Sequence, residues 1–287
     1  MSQAYQRLGP TQLQANLQVW QYTGHMDDMN LASSATLSNG VKIPLLGLGM
    51  WKMTQGDETV NAVTWALEAG YRHIDTAKYY ANEASVGRAV RESGVARDKV
   101  FVTTKLWPSD FSNPRRGFEE SLKKLGLEYI DLYLIHWPEP GISKNVWQSL
   151  EKIYDEGLAK AIGVSNYDRD DIESVLSYAN VAPMVNQVEF NPASHSLPLL
   201  EYCDSKGIVT EAYSPLGRGN LISNRVVEDV ARKYEKSPSQ VLIRWALQHG
   251  TVVIPKSSNK ERIQQNAEVF DFDISDQDMQ ALNALDA

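Results

Sequence analysis

The chain repeats one unit eight times: a short apolar run, then a segment whose apolar residues recur at helical spacing. The pairs are LLGLGM with TVNAVTWALEAG, HID with EASVGRAVRES, VFVTTK with PRRGFEESLKKLG, and DLYLIH with VWQSLEKIYDEG. They continue as AIGVS with DDIESVLSY, VNQVE with LPLLEYCDSKG, IVTEAY with NRVVEDVARKY, and TVVIP with KERIQQNAEVF. Strands that alternate with helices run parallel, because each crossover helix covers the sheet it leaves. Eight units in about 235 residues without a linker predict one α/β domain, a (β/α)8 TIM barrel. A doubly wound sheet is the rival, but no GxGxxG follows its first strand.

Three additions decorate the repeat. Thr36 to Pro44 reads as a β-hairpin, with Asn39-Gly40 expected to supply two positive φ angles at a tight turn. PSQVLIRWALQHG and SDQDMQALNALDA predict two extra helices, opened by Ser237-Pro238 and by Ser275. Glycines 70, 126, 157 and 207 stand where helices should stop. The domain is expected to span residues 36–287. Residues 1–35 are Gln-rich, with only Leu13, Leu17 and Trp20 on a helical stripe, and read as a loose extension or a docked helix.

A net charge of −8 argues against a nucleic-acid or acidic-membrane surface, so an anionic ligand must find a local cationic cluster. No apolar run has the length of a membrane span, and residues 1–35 lack the apolar core of a signal peptide. The single cysteine, Cys203, lies on a helical segment, excludes an internal disulfide and suits a reducing compartment. A cytoplasmic monomer is the expectation.

In a barrel, the C-terminal strand ends converge on one pit. Those ends carry Asp75, Lys105, His136, Ser165 with Asn166, Gln187, Tyr213 and Lys256. Just beyond Asp75, the stretch GYRHIDTAKYYANE adds Lys78, Tyr79, Tyr80 and Glu83. A phenol with a pKa of about 10 is a poor acid, but a neighbouring ammonium can lower that value by roughly 1–3. Lys105, held by Asp75, is the candidate ammonium for Tyr80, and His136 could donate a hydrogen bond to a substrate oxygen. Such a set suits protonation of a carbonyl oxygen while its carbon receives a nucleophile. No Ser or Cys nucleophile with its own base is evident, and the five histidines show no metal-ligand spacing. The nucleophile is therefore sought in a bound cofactor.

IPKSSNKERIQQN supplies the candidate cofactor site: Lys256 and Arg262 flank a helix start, and Ser257 and Asn259 add neutral donors. This suits a phosphomonoester such as the 2′-phosphate of NADP; a solvated charge run is the alternative. The flat ring of Tyr213 could stack on a nicotinamide.

Together with VTTKLW, LYLIHWP, GVSN, NQVEFNP, AYSPLG and IPKS…RI, these stretches resemble the aldo-keto reductase superfamily from Thr36 onward. The resemblance implies NADPH-dependent reduction of aldehydes and ketones on a (β/α)8 barrel, with small carbonyl substrates. It places the catalytic tetrad on Asp75, Tyr80, Lys105 and His136, Tyr80 rather than Tyr79 following from its distance to Asp75. It further implies that Ser165, Asn166 and Gln187 hold the carboxamide, and that Tyr213, Ser214 and Leu216 belong to the cofactor site. Lys256, Ser257, Asn259, Arg262 and Asn266 would hold the 2′-phosphate and adenine, and Trp51, Trp107 and Trp137 would wall the substrate pocket.

Asn259 and Gln265 depart from the family's usual Thr or Ser and Glu. The loop after His136 and the tail after Phe270 are short, as in compact microbial members such as diketogluconate and glyoxal reductases. An open pocket with broad carbonyl specificity is the resulting expectation. Two further readings are an NADPH-sensing regulatory subunit and a barrel glycosidase using Asp75 and Glu189.

Overall fold

A computed structural model describes residues 29–139 and 144–286. Residues 1–28 of the extension and residues 140–143 of the loop after His136 lie outside the described residues. The chain opens with β1 (Ser34–Thr36) and β2 (Lys42–Pro44), paired antiparallel. The units follow as β3 (Leu48–Gly49) and α1 (Asp57–Glu68), β4 (His73–Asp75) and α2 (Glu83–Glu92), β5 (Phe101–Leu106) and α3 (Pro114–Leu125), β6 (Ile130–Ile135) and α4 (Lys144–Asp155). They continue as β7 (Ala159–Ser165) and α5 (Arg169–Leu176), β8 (Val185–Glu189) and α6 (Leu197–Ser205), β9 (Val209–Tyr213) and α7 (Arg225–Lys233). The extra helix α8 (Pro238–Gln248) precedes β10 (Val252–Ile254) and α9 (Lys260–Ala267), and α10 (Asp276–Asn283) closes the chain.

Strands β3 to β10 pair in sequence order, each parallel to the next. The cylinder closes where Leu46 bridges Val253, with Gly47 N–H donating to Val253 O at 2.9 Å and Val253 N–H to Leu45 O at 2.8 Å. This closes the (β/α)8 barrel that the eight-fold alternation predicts. The first strand is shorter than its six-residue apolar run, and its two glycines let it lie close against its neighbours. A Cβ on Gly47 would stand 2.7 Å from the His73 ring, and one on Gly49 would stand 2.9 Å from Ile254 O.

The hairpin forms, but by a different turn. Asn39 keeps a negative φ and only Gly40 is left-handed, at φ 88°. Leu37 and Val41 therefore flank a three-residue loop closed by Leu37 N–H to Val41 O and Gly40 N–H to Leu37 O, each 2.8 Å. A type I turn ending in a left-handed glycine replaces the two-residue turn. Asn39 instead donates from Nδ2 to Lys160 O at 2.9 Å, which seats the hairpin on the N-terminal side of β7. The opposite mouth stays open.

Both extra helices begin as expected. Ser237 and Gln240 form a capping box on α8, and Ser275 accepts from Asp278 N–H at the start of α10. Helix α3 ends at Gly126, left-handed at φ 62°, whose N–H returns to Leu122 O and Lys123 O.

Helices α2 and α3 meet so closely that a Cβ on Gly87 would fall 1.8 Å from Leu125 O, a carbonyl that also accepts from Arg91. In an exposed helix, alanine would be better than glycine by about 1 kcal/mol. At Gly87 the sign should reverse: Gly87→Ala is expected to lower stability by about 1–3 kcal/mol through overpacking, read as a fall in the urea midpoint.

Candidate active site

Side chains alternate along a strand, so residues two apart share a face. His73 and Asp75 share the inner face of β4, Thr103 and Lys105 that of β5, and Glu211 and Tyr213 that of β9. The barrel brings these pairs into successive layers. In the upper layer, Lys105 Nζ donates to Asp75 Oδ1 at 2.7 Å, to Asp75 Oδ2 at 2.8 Å and to Thr76 O at 2.8 Å. Three acceptors match the three N–H groups of an ammonium, and Lys105 is fully buried. Burial alone would pull Lys105 down, but Asp75 and Tyr80 hold it above the usual lysine value.

The Lys105 ammonium lies 5.1 Å from the centre of the Tyr80 ring. Its charge does favour tyrosinate, yet the phenol is raised overall rather than lowered. Burial outweighs the ammonium, and Asp75 spends much of that positive charge before it reaches the ring. The acidified phenol expected from the sequence is thus not found: burial keeps Tyr80 above the ordinary phenol value. His136 packs edge-on to Tyr80, ring centres 5.6 Å apart, and its Nδ1 is buried without a partner. Burial, then Lys105, push its pKa down to about 3, so the imidazole is neutral at ordinary pH.

Asn82 ties the Tyr80 loop down. Its Nδ2 donates to Met50 O and Met53 O at 3.0 and 3.1 Å, and its Oδ1 accepts from Thr76 Oγ1 at 2.6 Å. Lys78 in that loop and Glu83 at the first position of α2 turn away from the mouth: Lys78 pairs with Asp110 and Glu120, and Glu83 accepts from Thr104 Oγ1. Lys78 and Glu83 fasten the loop and stay outside the cavity.

A cavity of about 650 Å³ opens at this end. It is lined by Asp75, Tyr80, His136, Ser165, Asn166 and Gln187, and by Tyr213, Ser214 and Leu216. The same cleft reaches Lys256, Ser257, Arg262 and Asn266, with Trp51, Trp107 and Trp137 around the mouth. Lys105 lies beneath the floor, behind Asp75. Asn259 does not reach the cavity: its Oδ1 caps α9, accepting from Arg262 N–H at 2.8 Å, and Ser258 lines the cleft instead. Glu189 pairs with Arg218 at 2.9 Å and is absent from the lining, so it forms no carboxylate pair with Asp75.

The amide set is already linked. Ser165 Oγ donates to Gln187 O at 2.8 Å, Asn166 Nδ2 to His136 O at 3.1 Å, and Tyr213 OH to Asn166 Oδ1 at 2.8 Å. Asn166 and Ser214 are left-handed at φ 64° and 50°, as are Lys52 and Arg218, which also line the cleft. Backbone strain of this kind collects at ligand sites.

Sequence reading missed two parts. Tyr79 stacks on Trp107, centroids 4.0 Å and planes 18° apart, and is 59% exposed at the mouth. Behind Asp75, Gln187 Nε2 donates both to Asp75 Oδ2 at 2.8 Å and to Glu211 Oε2 at 2.9 Å. Continuing the period-two reading inward from Tyr213 would have found Glu211.

Barrel, buried ion pair and aromatic mouth together define a polar reaction pit at the C-terminal ends of parallel strands. The aldo/keto reductase family model matches residues 45–287, and the chain belongs to that family of oxidoreductases. It is 49% identical over 255 residues to the 9,11-endoperoxide prostaglandin H2 reductase of Trypanosoma cruzi, covering 87% of this chain and 90% of the relative. It is 46% identical over 258 residues to the glyoxal reductase of Bacillus subtilis, covering 89% and 94%. Among solved structures, an aldo-keto reductase from a Medee basin deep-sea metagenome library superposes with a TM-score of 0.84 at 42% identity, covering 88% and 94%.

Removing one member of a buried ion pair strands the other. Lys105→Met should therefore lower stability by about 3–5 kcal/mol in urea unfolding, with much of the loss recovered when Asp75→Asn is added.

Proposed function

We propose that the protein reduces aldehydes and ketones to alcohols with NADPH, and that Tyr80 is the general acid. The observation that carries this reading is one continuous cleft with a phenol and a neutral imidazole at one end, above a buried ammonium, and two cations at the other. The residues present fit a phosphorylated nicotinamide dinucleotide. Asn266 Oδ1, at the cationic end, is a buried acceptor with no partner, as an adenine amino group would require. When bound, the cofactor supplies a hydride equivalent to the carbonyl carbon.

The chain's own residues do the rest. Tyr80 delivers its proton to the carbonyl oxygen. Lys105 lowers the energy of the resulting tyrosinate, and Asp75 keeps Lys105 charged and in place. Neutral His136 orients the substrate oxygen from the side facing Trp107. Gln187 Nε2 is committed to two carboxyl groups, so only its Oε1 remains for a carboxamide. Lys256, Ser257, Arg262 and Asn266 would hold the adenosine 2′-phosphate end, and Tyr213 would offer its ring to the nicotinamide. Asn259 contributes by fixing the helix start that Arg262 occupies. The similarity to a glyoxal reductase and the exposed aromatic rim favour small dicarbonyls and flat aldehydes, with broad selectivity.

Tyr80→Phe is expected to lower kcat by about 10²–10⁴-fold while NADPH still binds, as followed by absorbance and by cofactor fluorescence. Turnover at the wild-type rate would overturn the assignment. Lys256→Ala combined with Arg262→Ala should weaken NADPH far more than NADH. Equal losses would mean that these cations do not read the 2′-phosphate.

A further inference from the structure

Two carboxyl groups lie beneath this pocket, and only one of them bonds to the ammonium there. Asp75 takes two of the three Lys105 donors, and Thr76 O takes the third, so Lys105 makes no hydrogen bond to Glu211 and acts on it only through space. Glu211 is fully buried on β9, and Gln187 bridges it to Asp75 through a single amide nitrogen. Its second oxygen, Oε1, has no hydrogen-bond partner and lies 3.4 Å from His73 Nε2.

The groups that face Glu211 are His73 and Asp75 on β4, Lys105 and Thr103 on β5, Gln187 on β8, and Tyr80 beyond them. Its register partner on β10 is the apolar Val252. His73 cannot serve as the missing cation. Its Nε2 is 3.2 Å from Thr103 Oγ1, and burial pushes its pKa down to about 3.

We propose that Glu211 is a positioning residue for Tyr80: held behind Asp75 by Gln187, it sets the net charge of the buried cluster that the phenol faces. The inference rests on the reading of Tyr80 as the general acid. An isolated buried carboxylate is strongly disfavoured, so Glu211 keeps its proton in the resting enzyme. Burial, then Asp75, push its pKa up to about 8. At lower pH the cluster holds one ammonium and one carboxylate and is neutral. As pH rises past that value, Glu211 releases its proton to solvent and the cluster becomes negative. A negative cluster opposes tyrosinate, and Glu211 acts on Tyr80 in that raising direction. Tyr80 therefore keeps its proton further into the alkaline range than it would beside a neutral residue.

Glu211→Gln keeps an acceptor for Gln187 but cannot ionise. In pH profiles of aldehyde reduction with NADPH, its alkaline limb should move to lower pH by roughly half a unit or more. In alcohol oxidation with NADP, where tyrosinate is the base, the acid limb should move the same way. KM for the cofactor should stay unchanged. Limbs that do not move in a folded, active variant would overturn the inference, because a merely structural loss lowers rate without shifting them. Glu211→Thr, neutral and suited to a strand, carries the same expectation should the glutamine variant fail to fold.

Infrared spectra of the wild-type protein with isotope-labelled glutamate give a readout that needs no turnover. A buried glutamic-acid carbonyl band at neutral pH, lost by about pH 9, supports the inference. Its absence at neutral pH overturns it. Absence of any aldehyde turnover in the wild type would instead defeat the reductase reading.

Discussion

The contact between Lys105 and Asp75 is the interaction around which the mouth of the barrel is arranged. Taking an ammonium and a carboxylate out of water is unfavourable by several kcal/mol each, and their attraction offsets this only when every donor is matched. Here it is matched: two carboxylate oxygens and one main-chain carbonyl meet three N–H groups. The arrangement holds a positive charge dry and fixed within 5.1 Å of an aromatic ring centre. A lysine free in solvent would be screened and mobile, and could not act on a phenol in this way.

Strand geometry makes that contact possible without long-range design of each side chain. The register sets Asp75 beside Thr103 and Gln187 beside Glu211, and the two-residue period points alternate side chains inward. Polar groups thus stack inward along each strand, with His73 below Asp75, Thr103 below Lys105 and Glu211 below Tyr213. The loops above are fastened from outside the cavity, by Asn82 on the main chain near Met50 and by Lys78 on Asp110 and Glu120. Rigid strands below and a pinned loop above leave Tyr80 little room to wander.

Much of this was legible in the sequence because it follows from periodicity. Eight alternating units specify a barrel, and the last residues of its strands specify the rim. What stayed hidden depends on three-dimensional competition. Asn39-Gly40 fits two turn types, and Asn39 takes the one that frees its amide for Lys160. The phenol of Tyr80 feels burial as well as the ammonium, and only the folded surroundings decide which prevails. Asn259 lies beside the cationic cluster in sequence, yet helix capping claims its side chain. Glu211 escaped notice because only strand ends were inspected, although it stands two residues before Tyr213. The tryptophan walls were named through family likeness alone, since nothing in their spacing separates a pocket lining from a core.

The glycine-lined seam between Leu45–Gly49 and Val253–Pro255 carries a consequence for how the molecule is made. Its partners stand about two hundred residues apart, so this is the most non-local junction of the cylinder. On the ribosome, every other strand can find its neighbour before the final quarter of the chain emerges. The seam cannot be stitched until β10 appears, and Lys256 arrives with it. The cleft that Lys256 lines is therefore completed by the same late event that turns a curled sheet into a tube.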